Sequence, residues 1–340
     1  MAKVKGFKGL RYNDKKISDI SKVIAPPYDV INQEQQELLY SMDENNIIKI
    51  DLNKTEGDKK YDEASRLLNE WIANQVLIEE EKESIYPYYQ KFSFKGKDYE
   101  RLGIVAIVKV CDFNEKIILP HEQTFSGPKA DRLKLMNSCK TNISPIFGVY
   151  DNADSKIEKI INQFIDSNDP IIEAQSLDGI TNKIWKIDNK NILSEITSYF
   201  EPKEILIADG HHRYETSLNY SKENKNDEAG YVMFYLTGTI QDGLLINPTH
   251  RILNETKNSK EITSSVLENF KTENWSGEMN EDLLVTDEFF YIDKRNNVAL
   301  KCKIRENDLK NFYSMSVYAV QEKIIDAYKE SYSSVGHFKS

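Results

Sequence analysis

Residues 204–221 read EILIADGHHRYETSLNYS, and this stretch decides the fold of the region around it. The apolar run at 204–208 is typical of a buried strand, and it breaks at Asp209-Gly210. A helix is predicted from about His212 to Ser221. The sequence therefore predicts a strand, a tight turn and a helix in direct succession.

The turn between this strand and this helix has the composition of an anion site. Gly210 permits a positive φ angle, so the chain can turn sharply and aim the first N–H groups of the helix at a ligand. Arg213 supplies a planar donor group suited to phosphate oxygens, and His211 or His212 can donate further hydrogen bonds. The alternative is that Asp209 caps the helix while the other side chains are solvated. A phosphate or pyrophosphate fits this segment better than a neutral ligand.

A second polar constellation, LPHEQTFSGPKADR, occupies residues 119–132. A loop at its centre is expected to lead into a helix in which Lys129 and Arg132, three residues apart, share one face. The two cations could jointly neutralise a phosphate, with Thr124 and Ser126 as nearby donors. An ordinary charged helix face is the alternative for the two cations.

Glu122, in the same loop, is the carboxylate that we expect to act as general base. Phosphoryl transfer needs an acceptor hydroxyl that is oriented and deprotonated as the new bond forms. Two weaker candidates complete the set, Pro26-Pro27-Tyr28-Asp29 and Asn247-Pro248-Thr249-His250-Arg251. Each of these is equally well explained as a structural turn.

Composition and charge indicate the cellular compartment of the protein and exclude some classes of ligand. The chain has 340 residues and a formal charge of -10, which repels nucleic acid and anionic lipid. Its three cysteines are widely spaced, which favours a reducing compartment, and no apolar run approaches a membrane span. The phosphate-loop, protein-kinase and HExxH zinc motifs are absent from the sequence. We therefore expect a cytoplasmic protein without nucleic-acid or membrane partners, whose anionic ligand is held by a local cluster.

Strand and helix patterns alternate along the chain, so the predicted fold class is α/β, of the mixed α+β kind. A hairpin is predicted from the β-branched and aromatic runs 85–92 and 103–108, with Lys95-Gly96-Lys97 as its turn. Three regions with soft boundaries are expected, an N-terminal α/β region at 1–110, a core region at 111–255 and a C-terminal α/β region at 256–340. The other predicted elements are helices at 33–40, 61–76, 128–138, 261–270 and 317–328 and strands at 47–52, 146–150, 231–239 and near 289 and 298.

Along most of its length the chain resembles a large bacterial family catalogued as domain of unknown function 1015. The segments that carry the resemblance are APPYDVI (25–31), LPHEQTFSGPKADRLKLM (119–136), PIFGVYD (145–151), ADGHHRYETSL (208–218) and PTHRIL (248–253). The ADGHHR segment also resembles the phosphate-binding box of the ParB and sulfiredoxin superfamily. That superfamily includes free L-serine kinases in which a similar PHE loop precedes a DGHHR turn, the order found here.

The resemblance implies a ParB/sulfiredoxin-like catalytic core at 111–255 and an additional mixed-sheet domain. It implies a kinase that transfers a phosphoryl group from inorganic pyrophosphate to free L-serine, giving O-phospho-L-serine for cysteine synthesis. Glu122 would be the base and residues 209–213 would form the donor site. ADP and ATP stay alternatives to pyrophosphate as the donor.

With that function, each candidate residue receives a predicted role. Catalysis is assigned to Glu122, Asp209 and His211, and Asp209 would also bind the Mg²⁺ that neutralises charge on the donor. The predicted phosphate-binding residues are Gly210, His212, Arg213, Ser126, Lys129 and Arg132. The predicted acceptor-binding residues are His121, Thr124, Tyr28, Asp29, His250 and Arg251.

Two other classes of function compete with the kinase. A nucleotide-binding regulatory module like ParB would pair its phosphate box with a DNA-binding region, but the charge of -10 and the lack of a recognisable helix-turn-helix oppose it. A metal-dependent hydrolase would gather His121, His211, His212 and His250 around zinc. Metal analysis of the purified protein separates the hydrolase from the kinase, because a phosphate site does not need stoichiometric zinc.

Overall fold

The computed structural model describes the backbone of residues 1–121, 126–245, 249–277, 284, 287–305 and 319–339. The side chains of these residues are described except at 126–128, 249, 250, 322 and 334–339. The chain divides into two compact units, Met1–Leu244 and Leu245–Ser340. The strand, turn and helix predicted at residues 204–221 belong to the first unit.

Helices and strands alternate in both units. The helices are α1 (Gln33–Met42), α2 (Ile48–Asp51), α3 (Lys59–Ala73), α4 (Ser126–Cys139), α5 (Lys156–Ile165), α6 (Lys190–Phe200), α7 (His211–Glu223) and α8 (Ser259–Asn269). The strands of the first unit are β1 (Val4–Lys5), β2 (Leu10–Tyr12), β3 (Leu77–Glu79), β4 (Tyr86–Phe94), β5 (Lys97–Lys109), β6 (Ile118–Leu119), β7 (Ile146–Tyr150), β8 (Ile172–Gln175), β9 (Thr181–Ile184), β10 (Ile205–Asp209) and β11 (Tyr231–Gly238). The strands of the second unit are β12 (Thr249–Asn254), β13 (Phe270–Asn274), β14 (Glu288–Asp293), β15 (Val298–Ile304) and β16 (Ser334–Lys339).

A mixed sheet of nine described strands forms the centre of the first unit. Its order is β6-β10-β7-β11-β5-β4-β9-β8, and β1 pairs with the end of β5. β10 runs parallel to β6 and β11 runs parallel to β7, whereas the remaining pairs are antiparallel. This sheet and the helices packed on it confirm the predicted mixed α/β class.

The predicted hairpin is confirmed as β4 and β5. Their antiparallel register runs from the Tyr86–Val105 pair to the Phe94–Lys97 pair. Lys95 and Gly96 form the turn, and both have positive φ angles, 49° and 77°. Two consecutive residues with positive φ give the turn whose twist matches that of the flanking strands.

One face of the central sheet carries the main hydrophobic core of the first unit. Ile104 of β5 and Phe234 of β11 are fully buried on this face. Helices α5, α6 and α7 contribute Ile157, Phe200 and Tyr214 to the same cluster. Tyr214 therefore anchors α7, and with it the residues at the start of that helix, against the sheet.

The prediction of a strand at 47–52 is wrong, because Ile48–Asp51 forms the short helix α2. The buried side chain of Asn46 accepts a hydrogen bond from the Ile48 amide (3.0 Å) and donates one to the Lys22 carbonyl (2.7 Å). These two bonds turn the chain at this point. The isoleucine-rich sequence favours a strand locally, but the contact with the distant Lys22 carbonyl decides the conformation.

The second unit has its own small core. β13, β15 and β14 form an antiparallel sheet, and α8 packs Ile262 and Val266 into the cluster beside it. β12 pairs with β16 in a separate two-stranded sheet. The predicted helix at 317–328 is described only from Ala319 onward and includes a π-helical turn at Gln321–Asp326. Among the described helices of the chain, none has the length and apolar character that a membrane span requires.

Candidate functional site

The predicted strand, turn and helix are confirmed as β10, Gly210 and α7. Gly210 has a φ of 94° and precedes the first residue of α7 without a side chain that caps the helix. An added Cβ at Gly210 would lie 3.0 Å from Nε and 3.1 Å from Cζ of Arg213. Glycine is therefore required here for its backbone conformation and for the close approach of a guanidinium.

Arg213 is a buried cation in the first turn of α7, with only 8% of its surface exposed. Its Nη2 donates to Oδ2 of Asp209, and its Nη1 donates to the carbonyl of Pro145 at the start of β7. Oδ2 of Asp29 lies 4.0 Å from the same Nη2. Nε of Arg213 is buried and has no hydrogen-bond partner in the described part of the chain. The structure thus brings Asp29, Asp209 and Arg213 together.

The two histidines His121 and His211 meet beside this turn. Their rings stand edge to face with centroids 4.5 Å apart. Nδ1 of His121 donates to the carbonyl of Ile207 in β10 (2.7 Å), and the backbone N–H of His121 donates to Nε2 of His211 (3.2 Å). His121 is exposed, whereas His211 is 2% exposed.

These hydrogen bonds distinguish the two rings chemically. A ring nitrogen that accepts an N–H carries the lone pair, so the proton of His211 sits on Nδ1. In His121, Nδ1 carries a proton, because it donates to the Ile207 carbonyl. Nε2 of the buried His211 thus holds the chain at residue 121, whereas the His121 residue itself is exposed. His212, the next residue in α7, is half-buried.

Lys129 and Arg132 do lie on α4, as predicted, but each has a carboxylate partner. Nζ of Lys129 lies 2.7 Å from Oε2 of Glu215 in α7. Arg132 is 9% exposed and bonds Asp51 through Nη1 (2.8 Å) and Asp131 through Nη2 (2.6 Å). The partners Asp51 and Glu215 are distant in sequence, and the sequence analysis missed both. The role of the two cations in phosphate binding stays a prediction.

The carboxylates around Arg132 respond to their surroundings in opposite ways. Burial raises the pKa of Asp51, and the neighbouring Arg132 and Ser144 offset this only in part. Burial also opposes ionisation of Asp131, but hydrogen bonds from Lys60, Tyr61 and Arg132 outweigh it and lower the pKa of Asp131 to about 2. Arg132 is thus held by one carboxylate that is firmly ionised and another that is buried.

Arg132 and Arg213 line one cleft, which brings the two predicted motifs together. The ring of Tyr28, predicted to bind the acceptor, lies 4.1 Å from the Arg132 guanidinium carbon. Burial and the adjacent Asp29 raise the pKa of Tyr28, so its hydroxyl is a neutral donor. The other residues that line the cleft are Asp51, Leu135, Met136, Thr141, Asn142, Ile143, Ser144, Thr216, Ser217 and Val232.

Several predicted site residues fall elsewhere or outside the described residues. Glu122 and Thr124 lie outside them, and Ser126 is described only as the first residue of α4. His250 and Arg251 belong to β12 in the second unit, where the side chain of His250 is not among those described. In the described ranges, no group of three or more His, Cys, Asp or Glu side chains is arranged to hold a metal ion.

The fold and the site define a mixed α/β protein in which a glycine turn joins a sheet strand to a helix that carries a buried arginine. The family comparison gives this class a more specific assignment. The chain belongs to the family described as "Protein of unknown function (DUF1015)", whose model matches residues 4–323. This confirms the family to which the sequence motifs pointed. No curated protein and no solved structure matched the chain.

Proposed function

We propose that the protein is a kinase that transfers a phosphoryl group from inorganic pyrophosphate to the hydroxyl of free L-serine. The observation that carries the proposal is the buried Arg213 in the first turn of α7, a helix that directly follows Gly210 and has no capping side chain. A helix start and a guanidinium are both sources of positive potential, and together they suit a phosphate. The chemistry produces O-phospho-L-serine and inorganic phosphate.

The donor would occupy the start of α7. Arg213 is oriented by Asp209 and by the Pro145 carbonyl, so its position is set before a ligand arrives. A donor group that is already oriented loses little entropy when phosphate binds. In this proposal the turn formed by β10, Gly210 and α7 is a phosphate box of the ParB and sulfiredoxin kind.

Glu122 is the proposed general base, for a reason of chain connectivity. It directly follows His121, and His121 is tied at two points, to the carbonyl of Ile207 and to the ring of His211. These bonds hold the chain beside the end of β10 one residue before Glu122. The serine hydroxyl would give its proton to the Glu122 carboxylate as the new P–O bond forms.

The two histidines have different proposed roles. His211 is buried, and its Nε2 accepts the His121 amide, so it would position residue 121, which directly precedes Glu122 in the chain. His121 would meet the substrates, because it is exposed and its bond to the Ile207 carbonyl holds it beside the end of β10. His121 is thus the better candidate for direct contact.

The described carboxylates are compatible with a magnesium ion. Mg²⁺ at phosphate sites is usually held by one or two carboxylates together with substrate oxygens and water. Asp209 and Asp29 both flank Arg213, and Asp209 contacts it through Oδ2. These two residues would hold the ion, which would neutralise charge on the donor phosphates.

The proposal is tested by measuring phosphoserine formation with each donor. Purified protein is incubated with L-serine, Mg²⁺ and either pyrophosphate, ADP or ATP. The sequence offers no residues for an adenine pocket, so we expect kcat/KM with pyrophosphate to exceed that with either nucleotide by at least about tenfold. A preference for ADP or ATP would remove the pyrophosphate assignment. No phosphoserine with any of the three donors would remove the kinase assignment.

A variant links the activity to the site. Arg213→Ala should weaken pyrophosphate binding by at least about tenfold, because charge-assisted hydrogen bonds contribute about 1.5–3 kcal/mol each. Serine binding should change much less. Unchanged pyrophosphate affinity by calorimetry, in a variant whose circular dichroism is that of the wild type, would show that the phosphate binds elsewhere.

A further inference from the structure

The face of the central sheet opposite the main core carries a cluster of aromatic and polar side chains. Ile104 of β5 and Phe234 of β11 point into the core, so Arg101 and Tyr235 lie on the other face by strand alternation. Phe147 of β7 is the cross-strand partner of Tyr235.

The candidate site adjoins this face. Asp209 of β10 is the cross-strand partner of Phe147, after a shift of register between Ile207 and Asp209. Their Cα atoms are separated by only about 5 Å, the usual spacing across paired strands. The aromatic cluster and the proposed phosphate site are therefore immediate neighbours.

Arg101 is held in a fixed orientation on this face. Oε1 of Gln90 accepts hydrogen bonds from its Nε (3.2 Å) and its Nη2 (2.6 Å). The guanidinium carbon lies 4.9 Å from the ring centroid of Phe147, 5.5 Å from that of Phe92 and 5.8 Å from that of Tyr235. Three aromatic rings and one amide thus define where the guanidinium lies.

A second network holds Gln90 itself in place. Its Nε2 donates to the hydroxyl of Tyr88 (3.0 Å) and to Oδ1 of Asn182 (3.1 Å). The Tyr88 hydroxyl in turn donates to the same Asn182 oxygen (2.6 Å). Because Gln90 is fixed by these bonds, its Oε1 presents one orientation to Arg101.

Gly103 makes room for the ring beside Arg101. A Cβ at this position would collide with the Leu236 carbonyl oxygen and would lie 2.6 Å from Cε2 of Tyr235, so one or both would have to shift. Burial raises the pKa of Tyr235 to about 12, although the adjacent Arg101 opposes the shift, so the hydroxyl stays protonated. The polar side chains of Thr237 and Arg101 lie next to this hydroxyl and both oppose the shift.

Arg101 also differs from the other arginines of its unit in having no carboxylate partner among the described residues. The arginines that do pair with carboxylates are Arg11, Arg66, Arg132 and Arg213. Arg101 is half-buried, and a cation removed from water without a counter-charge is unfavourable. An anionic ligand would supply that charge.

On the basis of the proposed serine kinase activity, we infer that Arg101 binds the carboxylate of the acceptor amino acid. A planar guanidinium binds a carboxylate through two parallel hydrogen bonds, and the Tyr235 hydroxyl is an additional donor beside it. A single cation among aromatic rings suits a singly charged organic acid better than a pyrophosphate. The acceptor carboxylate at Arg101 would direct its hydroxyl across Phe147 toward Asp209.

The test compares Arg101→Met with a matched control. Arg66→Met removes an exposed arginine of α3 that pairs with Glu63 and Glu70 and lies outside the site. We expect Arg101→Met to raise KM for L-serine about 10- to 100-fold and KM for magnesium pyrophosphate less than about twofold. Arg66→Met should change neither constant. Arg101→Lys, which keeps the charge without the planar fork, should fall between the wild type and Arg101→Met.

L-Serinamide supplies a second readout, since it keeps the hydroxyl and the amine but has no carboxylate. The wild type should prefer L-serine to L-serinamide by kcat/KM, and Arg101→Met should lose most of that preference. An unchanged KM for serine and an unchanged preference in Arg101→Met would overturn the inference while leaving the kinase standing. A wild type that forms no phosphoserine and binds no L-serine by calorimetry would overturn both.

Discussion

Replacing Gly210 with alanine perturbs the candidate site where the turn approaches the Arg213 guanidinium. Gly210 has a φ of 94°, and a Cβ there would lie 3.0–3.2 Å from the Arg213 guanidinium. That guanidinium must then shift by a few tenths of an ångström. It is held by Asp209 on one side and by the Pro145 carbonyl on the other, so the shift weakens both bonds.

The chain offers a matched control for the backbone part of this effect. Gly179 has a φ of 80°, and an added Cβ there meets nothing within 4 Å. Alanine at a positive φ costs about 1–2 kcal/mol at either position. A charge-assisted hydrogen bond contributes about 1.5–3 kcal/mol, so Gly210→Ala should lose about 1.5 kcal/mol more than Gly179→Ala.

Urea unfolding of the full chain measures this difference, and calorimetry with magnesium pyrophosphate measures its consequence. We expect pyrophosphate affinity to fall at least about tenfold in Gly210→Ala and to stay unchanged in Gly179→Ala. Equal losses of stability in the two variants, with unchanged pyrophosphate binding in both, would refute the role given to the contact between Gly210 and Arg213.

Two further predictions concern Glu122 as the proposed general base and Asp131, which holds Arg132 at the cleft. Glu122→Gln should lower kcat about 100-fold or more with little change in pyrophosphate affinity, and near-normal turnover would remove Glu122 from the mechanism. Asp131, whose pKa falls from the ordinary 3.8 to about 2 in the fold, stabilises the protein above about pH 4 and loses that contribution as the pH falls through 2. Asp131→Asn should therefore be less stable than the wild type at pH 5 to 7, and the difference should narrow toward pH 2. A constant difference across that range would contradict this assignment.

Local sequence was sufficient where an element's conformation is decided by its own residues. The hairpin of β4 and β5 follows from two β-rich runs and the Lys95-Gly96 turn with its positive φ angles. The helix at 128–138 is likewise observed, within α4. By contrast, the strand predicted at 47–52 is helical, because Asn46 bonds the Lys22 carbonyl, a partner that no local pattern identifies.

In the candidate site too, some contacts could be predicted from local sequence and others depend on distant segments of the chain. Gly210, Asp209 and Arg213 follow one another along the chain, so their proximity could be predicted from the turn alone. The placement of Asp29 within 4.0 Å of Arg213 depends on a segment far away in sequence. Two ion pairs also join distant elements, Lys129 with Glu215 and Arg132 with Asp51. The two cations were predicted to share a helix face, but their carboxylate partners could not be predicted from local sequence.

The sequence by itself determined the family, the mixed α/β class and the strand, turn and helix at residues 205–223. Each of these depends on motifs or patterns formed by contiguous residues, which can be recognised without the tertiary structure. Only the tertiary structure decided which side chains lie together on the face of the central sheet opposite the main hydrophobic core. The residues that flank Arg101 in the sequence do not suggest a site. Its neighbours in space, Phe147 and Tyr235, come from other strands. Strand order and register bring these residues together, and both result from long-range packing between segments that the linear sequence keeps apart.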